Sequence, residues 1–279
     1  MGAPGTAARA LLQAVRFVRK MRGGAQAHLV EANDGHAYVV KFVNNPQHRR
    51  ILINEWIAAA ILRHVAVPTP EVAAVGLSAG FIERNHDVYI QLGSDRVSPA
   101  PGLHFGSRFP LDPDSGIVYD FLPDPVLRRV QGLSGFCGAY VVDKWISNAD
   151  ARQAIYFRPG RAGSSGASRF AVQMIDNGHA FGGQEWRMVD ALSAGIYFRR
   201  TVYDSVVSRR DLDPWLDQIA SFPENVLRMA SNAMPASWLD GDEQPVEDLV
   251  ERLLRRRKRV AYLIDACHES QKNPFSNWQ

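Results

Sequence analysis

The sequence predicts an α+β protein of two lobes, a small β-rich N-terminal lobe with one helix and a larger helical C-terminal lobe. Three observations predict this arrangement. Short runs rich in β-branched and aromatic residues fill about the first ninety residues, one stretch among them has helical spacing, and helical spacing dominates from Pro125 onward. We expect the first lobe to span residues 1–122 and the second to span residues 123–279.

The first lobe contains three candidate strands. The runs "AHLVEA" and "AYVVKFV" are separated by Asn33-Asp34-Gly35. These three residue types tolerate positive φ, so the sequence favours a hairpin turn at this point. The run "VRFVRKM", which precedes Gly23-Gly24, predicts a third strand in the same sheet.

The stretch "HRRILINEWIAAAILRHV" predicts the helix of this lobe, because its isoleucines recur at roughly helical spacing. The helix must end before Pro68, since a proline disfavours helical backbone at the preceding residue. The run "DVYIQL" is a further candidate strand. Residues 94–116 are rich in Gly, Pro, Ser and Asp, and this composition predicts a loop.

The run "IVYDFL" follows that loop and predicts a buried strand linking the two lobes, which sets the expected boundary near residue 122. The second lobe then alternates between two patterns. Helical spacing in "DPVLRRVQGLSGFCGAYVVDKW" gives way to a strand pair, "RQAIYFR" and "RFAVQMID", joined by a flexible loop over 159–168. A long amphipathic helix, "VEDLVERLLRRRKRVAYLIDACHE", closes the helical part.

The composition fits an ordinary globular protein in a reducing compartment. Hydrophobic residues make up 46% of the chain and charged residues 22%, and the net charge of +3 is too small to indicate a nucleic-acid partner. Cys137 and Cys267 fit no disulfide or metal-site spacing, so we expect a cytoplasmic protein. The sequence has no apolar run of membrane-spanning length and no leader pattern, so we expect no membrane partner.

Five polar residues follow one another in an order that phosphoryl transfer requires. Lys41 ends an apolar strand, and Glu55 lies on the following helix. Four residues separate Asp143 from Asn148, and Asp176 begins an Asp-Asn-Gly sequence after a predicted strand pair. In protein kinases an Asp-x-x-x-x-Asn loop and an Asp-Phe-Gly sequence supply the base and the magnesium ligands, while a lysine and its carboxylate partner contact the phosphates. The pattern therefore predicts an ATP- and Mg²⁺-dependent phosphotransferase.

Four stretches of the chain together resemble the HipA-like kinase family: "GGAQAHLVEANDGHAYVVKF", "INEWIAAAILRHVAVPTPEV", "IVYDFLP" and "DKWISNADARQAIYF…MIDNGHAFGG". The resemblance runs from about residue 20 to 185. It implies a two-lobed protein-kinase-like fold and the Ser/Thr kinase activity of the family's bacterial members. We expect the chain to be of the short, stand-alone branch.

The resemblance also implies a role for each site residue. Lys41 would bind the α- and β-phosphates of ATP, Glu55 would pair with it, and Asp143 would be the catalytic base. Asn148 and Asp176 would hold Mg²⁺. The nucleotide would also contact a phosphate-binding loop of Gly23, Gly24, Ala25 and Gln26, and a hinge of Asp120, Phe121 and Leu122.

Several alternatives stay open on the sequence. Asp150 and Arg152 could also be catalytic, with Asp150 in place of Asp143 as the base, although capping of the next strand is the ordinary role of Asp150. The acceptor could be a small molecule instead of a protein, or the chain could be a nucleotide-binding pseudokinase that acts as an interaction module. The basic cluster at 252–259 could bind nucleic acid or an acidic partner, but a solvated helix face is the expected role. In the family a serine that can be phosphorylated often precedes the glycine loop, and here Lys20-Met21-Arg22 stand there, which puts that form of self-inhibition in doubt.

Overall fold

The computed structural model describes residues 11–160 and 169–279, so most of the predicted loop 159–168 and the first ten residues of the predicted first lobe lie outside the described residues. The elements of the first half are β1 (Ala14–Lys20), β2 (His28–Ala32), β3 (Ala37–Lys41), α1 (Arg50–His64), β4 (Val72–Leu77), α2 (Ala79–Arg84), β5 (Ile90–Leu92), β6 (Asp95–Val97), β7 (Gly102–Arg108) and β8 (Val118–Tyr119). The second half contains α3 (Asp124–Leu127), α4 (Gly135–Ile146), β9 (Gln153–Phe157), β10 (Ala171–Ile175), α5 (Asp213–Ala220), α6 (Glu224–Asn232), α7 (Ala236–Leu239), α8 (Glu243–Arg256) and α9 (Val260–His268). Short 3-10 helices cover Ala180–Glu185, Arg200–Tyr203, Arg209–Leu212 and Arg257–Arg259.

The first lobe is a five-stranded antiparallel sheet in the order β1-β2-β3-β7-β4. The predicted hairpin is confirmed, because β2 pairs with β3 across a turn in which Gly35 has a φ of +78°. The third predicted strand is confirmed as well, since β1 pairs with β2. Alternation along β3 turns Ala37, Val39 and Lys41 toward one face of the sheet.

The helix of the first lobe, α1, is buried on nearly every side. Its hydrophobic residues pack in the main core, which it shares with the helices of the second lobe. Trp56 donates from its indole N–H to the carbonyl of Ala230 on α6, at 3.0 Å. The helix ends before Pro68 as predicted: Ala66 has a φ of +56°, and the N–H of Val67 donates to the carbonyl of Leu62.

The predicted loop over 94–116 is wrong in two places, at β6 near its start and in its central part. Residues 102–108 form β7, which lies inside the sheet between β3 and β4. The glycines in this stretch suggested a loop, but Gly106 lies within β7 and allows the neighbouring strand to pack closely against it. A Cβ at this position would overlap Cγ2 of Val75 on the neighbouring strand. The glycine therefore allows two strands and a bulky side chain to approach each other.

The linking strand belongs to the second lobe. β8 pairs with β9 in a three-stranded sheet of order β10-β9-β8, so the chain passes from one sheet to the other over residues 109–117. This crossing precedes the expected boundary at residue 122. The predicted strand pair is confirmed as β9 and β10, with Gln153 paired to Ile175 and Phe157 paired to Ala171.

The second lobe packs its helices around α4, which is buried along its whole length. Large aromatic side chains fill the space, among them Trp145 and Trp238, both fully buried. In the described parts of the chain, none of the helices is both long enough and apolar enough to cross a membrane.

Candidate active site

Lys41, Glu55 and Asp176 meet where the two lobes face each other. The ammonium of Lys41 donates to Oε1 of Glu55 at 2.5 Å and to Oδ1 of Asp176 at 2.9 Å. Burial lowers the pKa of Lys41. The two carboxylates raise it by a larger amount, so the pKa lies above its ordinary value. Burial likewise raises the pKa of Asp176, and Lys41 outweighs that effect and holds it below its ordinary value. The structure thus brings together a lysine from β3 and two carboxylates, one from α1 and one from the end of β10.

The Asp-Asn-Gly sequence fits tightly beneath α1. Asp176 has a φ of +59°, an uncommon conformation for a residue with a side chain and one that is often found at functional sites. A Cβ on Gly178 would lie 2.7 Å from Cγ2 of Ile51 and 3.7 Å from the ammonium of Lys41. Only glycine allows this approach, which explains why the third residue of the sequence has no side chain.

Asn54 holds the segment that follows, a role that sequence reasoning did not assign. Its amide donates to the carbonyls of Gly178, Ala180 and Gly183, at 2.7, 3.1 and 3.2 Å. Its amide oxygen accepts from the indole of Trp186 at 2.7 Å. The side chain is fully buried, so its position beside Glu55 on α1 fixes this segment against the helix.

The predicted phosphate-binding loop connects β1 and β2. Gly23 and Gly24 are exposed at its tip, and a Cβ on Gly24 would lie 2.7 Å from Nε2 of Gln47. Ala25 is buried. The side chain of Gln26 exchanges two hydrogen bonds of 2.7 Å with the backbone of Gln91 and so anchors the loop to β5. The glycines are thus exposed, whereas the amide of Gln26 is already bonded.

Asp143 lies in the last turn of α4, not in a loop as the sequence predicted. Its carboxylate is fully buried and accepts from Nε of Arg152 at 2.8 Å and from a second guanidinium nitrogen. The backbone of Gly195 covers it so closely that an added Cβ would overlap the Cβ of Asp143. The helix continues to Ile146 because its apolar residues pack into the core, and this carries Asp143 inside with them.

Asn148 and Asp150 occupy the turn between α4 and β9. Asn148 is fully buried; its amide donates to Asp143 at 3.1 Å, and its oxygen accepts from the N–H of Asp150 at 3.3 Å. Asp150 is exposed, and one of its oxygens accepts from the N–H of Ala151 at 2.8 Å. Asp143 and Asn148 are therefore buried, whereas the carboxylate of Asp150 reaches solvent.

Arg152, which the sequence offered as a further catalytic candidate, joins the turn to the lysine site, a structural role that the sequence did not assign. Beyond Asp143, its guanidinium donates to the carbonyl of Ile175 at 3.1 Å and to the side chain of Asn177 at 2.9 Å. The amide of Asn177 donates in turn to Glu55 at 3.3 Å. A buried chain of polar contacts thus runs from α1 to α4. A buried arginine requires such hydrogen-bond partners, but no local pattern in the sequence identifies which residues they are.

Comparison with known proteins identifies the family of the chain. The profile of HipA-like kinases matches residues 14–262, which is most of the chain. The chain belongs to the HipA-like kinase family. The search of curated proteins returned no match.

Two solved structures show that the fold of this HipA-like kinase is protein-kinase-like. The chain is similar to the crystal structure of the Golgi casein kinase with Mn/ADP bound, with a TM-score of 0.50 and 12% identity over 94% of this chain and 74% of that chain. A second crystal structure of the Golgi casein kinase gives a TM-score of 0.52 and 12% identity over 93% and 73% of the two chains. At this identity the likeness concerns the fold alone.

In this HipA-like kinase the residues expected as a hinge lie in the second lobe. Asp120 and Phe121 are exposed, and Leu122 is buried in the main core with its carbonyl bonded to Arg199 at 2.9 Å. The segment that follows the sheet is instead 109–111. The N–H of Phe109 donates to the carbonyl of Ala37 at 2.8 Å and extends the β3–β7 pairing to the edge of the sheet.

A cavity of about 740 Å³ opens beside that segment, at the end of the cleft between the two sheets. Phe109 and Leu111 line it from the connecting segment, Ala37 from β3, and Phe157 and Gln173 from the β9–β10 pair. A smaller apolar cluster around Leu29 covers the sheet above it.

Of the six basic residues in the cluster at 252–259, three are exposed and three are half-buried, so the expected solvated face is only part of its structure. Arg252 donates to the carbonyl of Trp186, and Arg257 to that of Leu254. Arg256 donates to the carbonyl of Trp145 at 2.8 Å and to Asp190 at 2.6 Å. Arg252 and Arg256 thus fasten the segment after Asp176 to α8.

Proposed function

We propose that this protein is an ATP- and Mg²⁺-dependent phosphotransferase that phosphorylates a Ser or Thr hydroxyl of a protein. The observation that carries the proposal is the contact of Lys41 with both Glu55 and Asp176. Phosphoryl transfer depends on positioned charge more than on covalent chemistry. A buried lysine held by a helix carboxylate, next to a partly exposed aspartate, provides that charge at one point between the lobes.

The cleft between the two sheets suits a nucleotide. The exposed backbone at Gly23 and Gly24 could approach phosphate oxygens, and Lys41 could neutralise them. We propose 109–111 as the hinge in place of Asp120, Phe121 and Leu122, because this segment directly follows β7 and borders the cavity between the sheets.

Asp176 fits a divalent cation, whereas Asn148 does not. The side chain of Asp176 is 35% exposed, but both polar groups of Asn148 are bonded inside the turn. Within residues 11–160 and 169–279, His, Cys, Asp and Glu form no group of three or more that could hold a metal, so nucleotide phosphates would have to complete the coordination. A bound Mg²⁺ would neutralise phosphate charge. The fold likeness to a kinase whose crystal structure holds Mn and ADP supports this assignment.

We propose Asp150 as the catalytic base, in place of Asp143. A base must come within hydrogen-bond reach of the acceptor hydroxyl. Asp143 is fully buried and already neutralised by Arg152, and Gly195 closes the remaining approach. Asp150 lies seven residues further along the chain, in the exposed turn that leads into β9.

The test is transfer from labelled ATP into a lysate of the host, with Lys41→Met as the inactive control. We expect labelled protein bands with the wild type and none with the variant. Label on a small molecule alone would support the small-molecule kinase alternative. Absence of both nucleotide binding and transfer would contradict the proposal.

A second candidate is a nucleotide-binding module without transfer activity. The burial of Asp143 and Asn148 favours it, because two residues that the motif assigns to chemistry cannot reach a substrate. Wild-type protein that binds Mg·ATP tightly, yet labels nothing in the lysate and hydrolyses no ATP, would support this module.

A further inference from the structure

We infer that Gln153 provides the amide oxygen of the cation site, in partnership with Asp176 and in place of Asn148. The inference rests on the proposed nucleotide-dependent function. It assigns a ligand role to a residue that the Asp-x-x-x-x-Asn motif does not include.

The pairing of β9 with β10 places Gln153 beside Asp176. Gln153 is the first residue of β9 and pairs directly with Ile175, the last residue of β10. Paired residues on antiparallel strands extend to the same face, with Cβ atoms about 4.5–5.5 Å apart. Asp176 is the next residue after Ile175. β10 ends at Ile175 and Asp176 has a φ of +59°, so the alternation of the strand does not turn its carboxylate to the face opposite Gln153. A glutamine side chain at 153 is then long enough to reach a cation bound at Asp176.

The orientation of Gln153 follows from its neighbour. Successive side chains of a strand point to opposite faces. Arg152 is fully buried toward Asp143 and the core, and Ala154 is buried as well. Gln153 therefore points to the other face, and it is exposed. Ile155 and Phe157 follow on that face, so Gln153 is the polar side chain that β9 contributes to it.

The chemistry of the site leaves a place for this side chain. Mg²⁺ prefers oxygen ligands and is usually held by one or two protein groups together with substrate phosphates and water. Asp176 supplies one carboxylate. Asn148 cannot supply the second group, because its oxygen accepts from Asp150 and its amide donates to Asp143 within the turn. The side-chain oxygen of Gln153 is of the same chemical class and is exposed.

The test measures Mn²⁺ binding by electron paramagnetic resonance in the presence of saturating ADP, and ADP affinity in EDTA by calorimetry. The variants are Gln153→Ala and Gln153→Glu, and Gln131→Ala is the matched control. Gln131 is an exposed glutamine whose backbone bridges Ala171, at the far end of β10.

Gln153→Ala should weaken Mn²⁺ binding by about tenfold or more, the lower range seen when support of a metal site is removed. Its ADP affinity in EDTA and its melting temperature should match the wild type. Gln153→Glu should bind Mn²⁺ at least as tightly as the wild type, because a carboxylate is the stronger ligand. Gln131→Ala should change nothing.

Wild-type Mn²⁺ affinity in Gln153→Ala would overturn the inference and leave the proposed function intact. An equal loss of ADP affinity with and without metal would also overturn it, since Gln153 would then contact the nucleotide instead of the cation. If the wild type bound no ADP under any condition, the proposed function would fail, and the inference with it.

Discussion

Arg152 and Asp143 form a fully enclosed ion pair that joins the end of α4 to the start of β9. Neither side chain is exposed, and the guanidinium contacts both carboxylate oxygens. The remaining donors of Arg152 reach Ile175 and Asn177, and Asn177 reaches Glu55. The pair therefore fixes the exposed turn that contains Asp150 relative to the lysine site on α1.

Arg152→Met should cost about 3–5 kcal/mol of stability, because removing one partner leaves a buried charge without compensation. Urea denaturation of both proteins would measure the loss. The double variant Asp143→Leu/Arg152→Met should recover much of it, since neither charge remains. Arg228→Met, which breaks the exposed i,i+4 pair with Glu224, is the control and should have little effect. Equal stabilities of Arg152→Met and Arg228→Met would contradict a structural role for the buried pair.

The sequence could group Lys41, Glu55 and Asp176, whose side chains meet in the structure, because each has a local signal: a lysine at the end of an apolar strand, a carboxylate inside an apolar helix, and an aspartate before glycine after a strand. It could not locate Asp143 correctly. The Asp-x-x-x-x-Asn spacing says nothing about where the preceding helix ends, and α4 ends at Ile146, three residues beyond Asp143. The burial of Asp143 depends on contacts that the motif does not encode: Arg152, nine residues further on, and Gly195, about fifty residues further on.

The missed strand has a similar explanation. Glycine and proline on both sides of β7 favour a loop in any local reading, whereas Gly106 is required by Val75 on β4. That contact joins residues about thirty positions apart, and local propensity carries no information on it.

Gly195→Ala tests the closure over Asp143. Gly195 has a φ of +69°, and an added Cβ would overlap the side chain of Asp143. The control is Gly35→Ala, at a φ of +78° with open space around the added atom. The control should cost about 1–2 kcal/mol, the strain of left-handed backbone alone. Gly195→Ala should cost clearly more, as measured by urea denaturation. Equal losses would show that Asp143 is not closed off at this point.

Two buried histidines predict a loss of stability in mild acid. Burial lowers the pKa of His28 and of His104 from 6.5 to about 4. Between about pH 6.5 and pH 4 the unfolded chain binds protons at these imidazoles and the folded chain does not, so the free energy of unfolding falls as the pH falls.

His104 is the better position for testing this, because its Nδ1 accepts from the N–H of Val43 at 3.0 Å and a glutamine oxygen could replace it. His104→Gln should have a shallower dependence of stability on pH between about pH 7 and pH 4.5 than the wild type. Exposed His86→Gln is the control and should leave the slope unchanged. Identical slopes for His104→Gln and wild type would show that His104 does not contribute.

The choice between Asp150 and Asp143 as the base leads to opposite kinetic results for two matched substitutions. A base that accepts the hydroxyl proton acts in the chemical step, so its loss lowers kcat and spares nucleotide affinity. Asp150→Asn should therefore lose on the order of 10²-fold or more in kcat, with ATP affinity and melting temperature near those of the wild type. Asp143→Asn should do the reverse: it removes the charge that Arg152 requires, so it should lower the melting temperature and keep most of the turnover per folded molecule.

Both variants should be assayed with the acceptor found by lysate labelling, and the folded fraction should be measured in the same buffer. A stable, inactive Asp143→Asn beside an active Asp150→Asn would return the role of base to Asp143, and it would require α4 to open at its last turn so that the carboxylate could reach the acceptor.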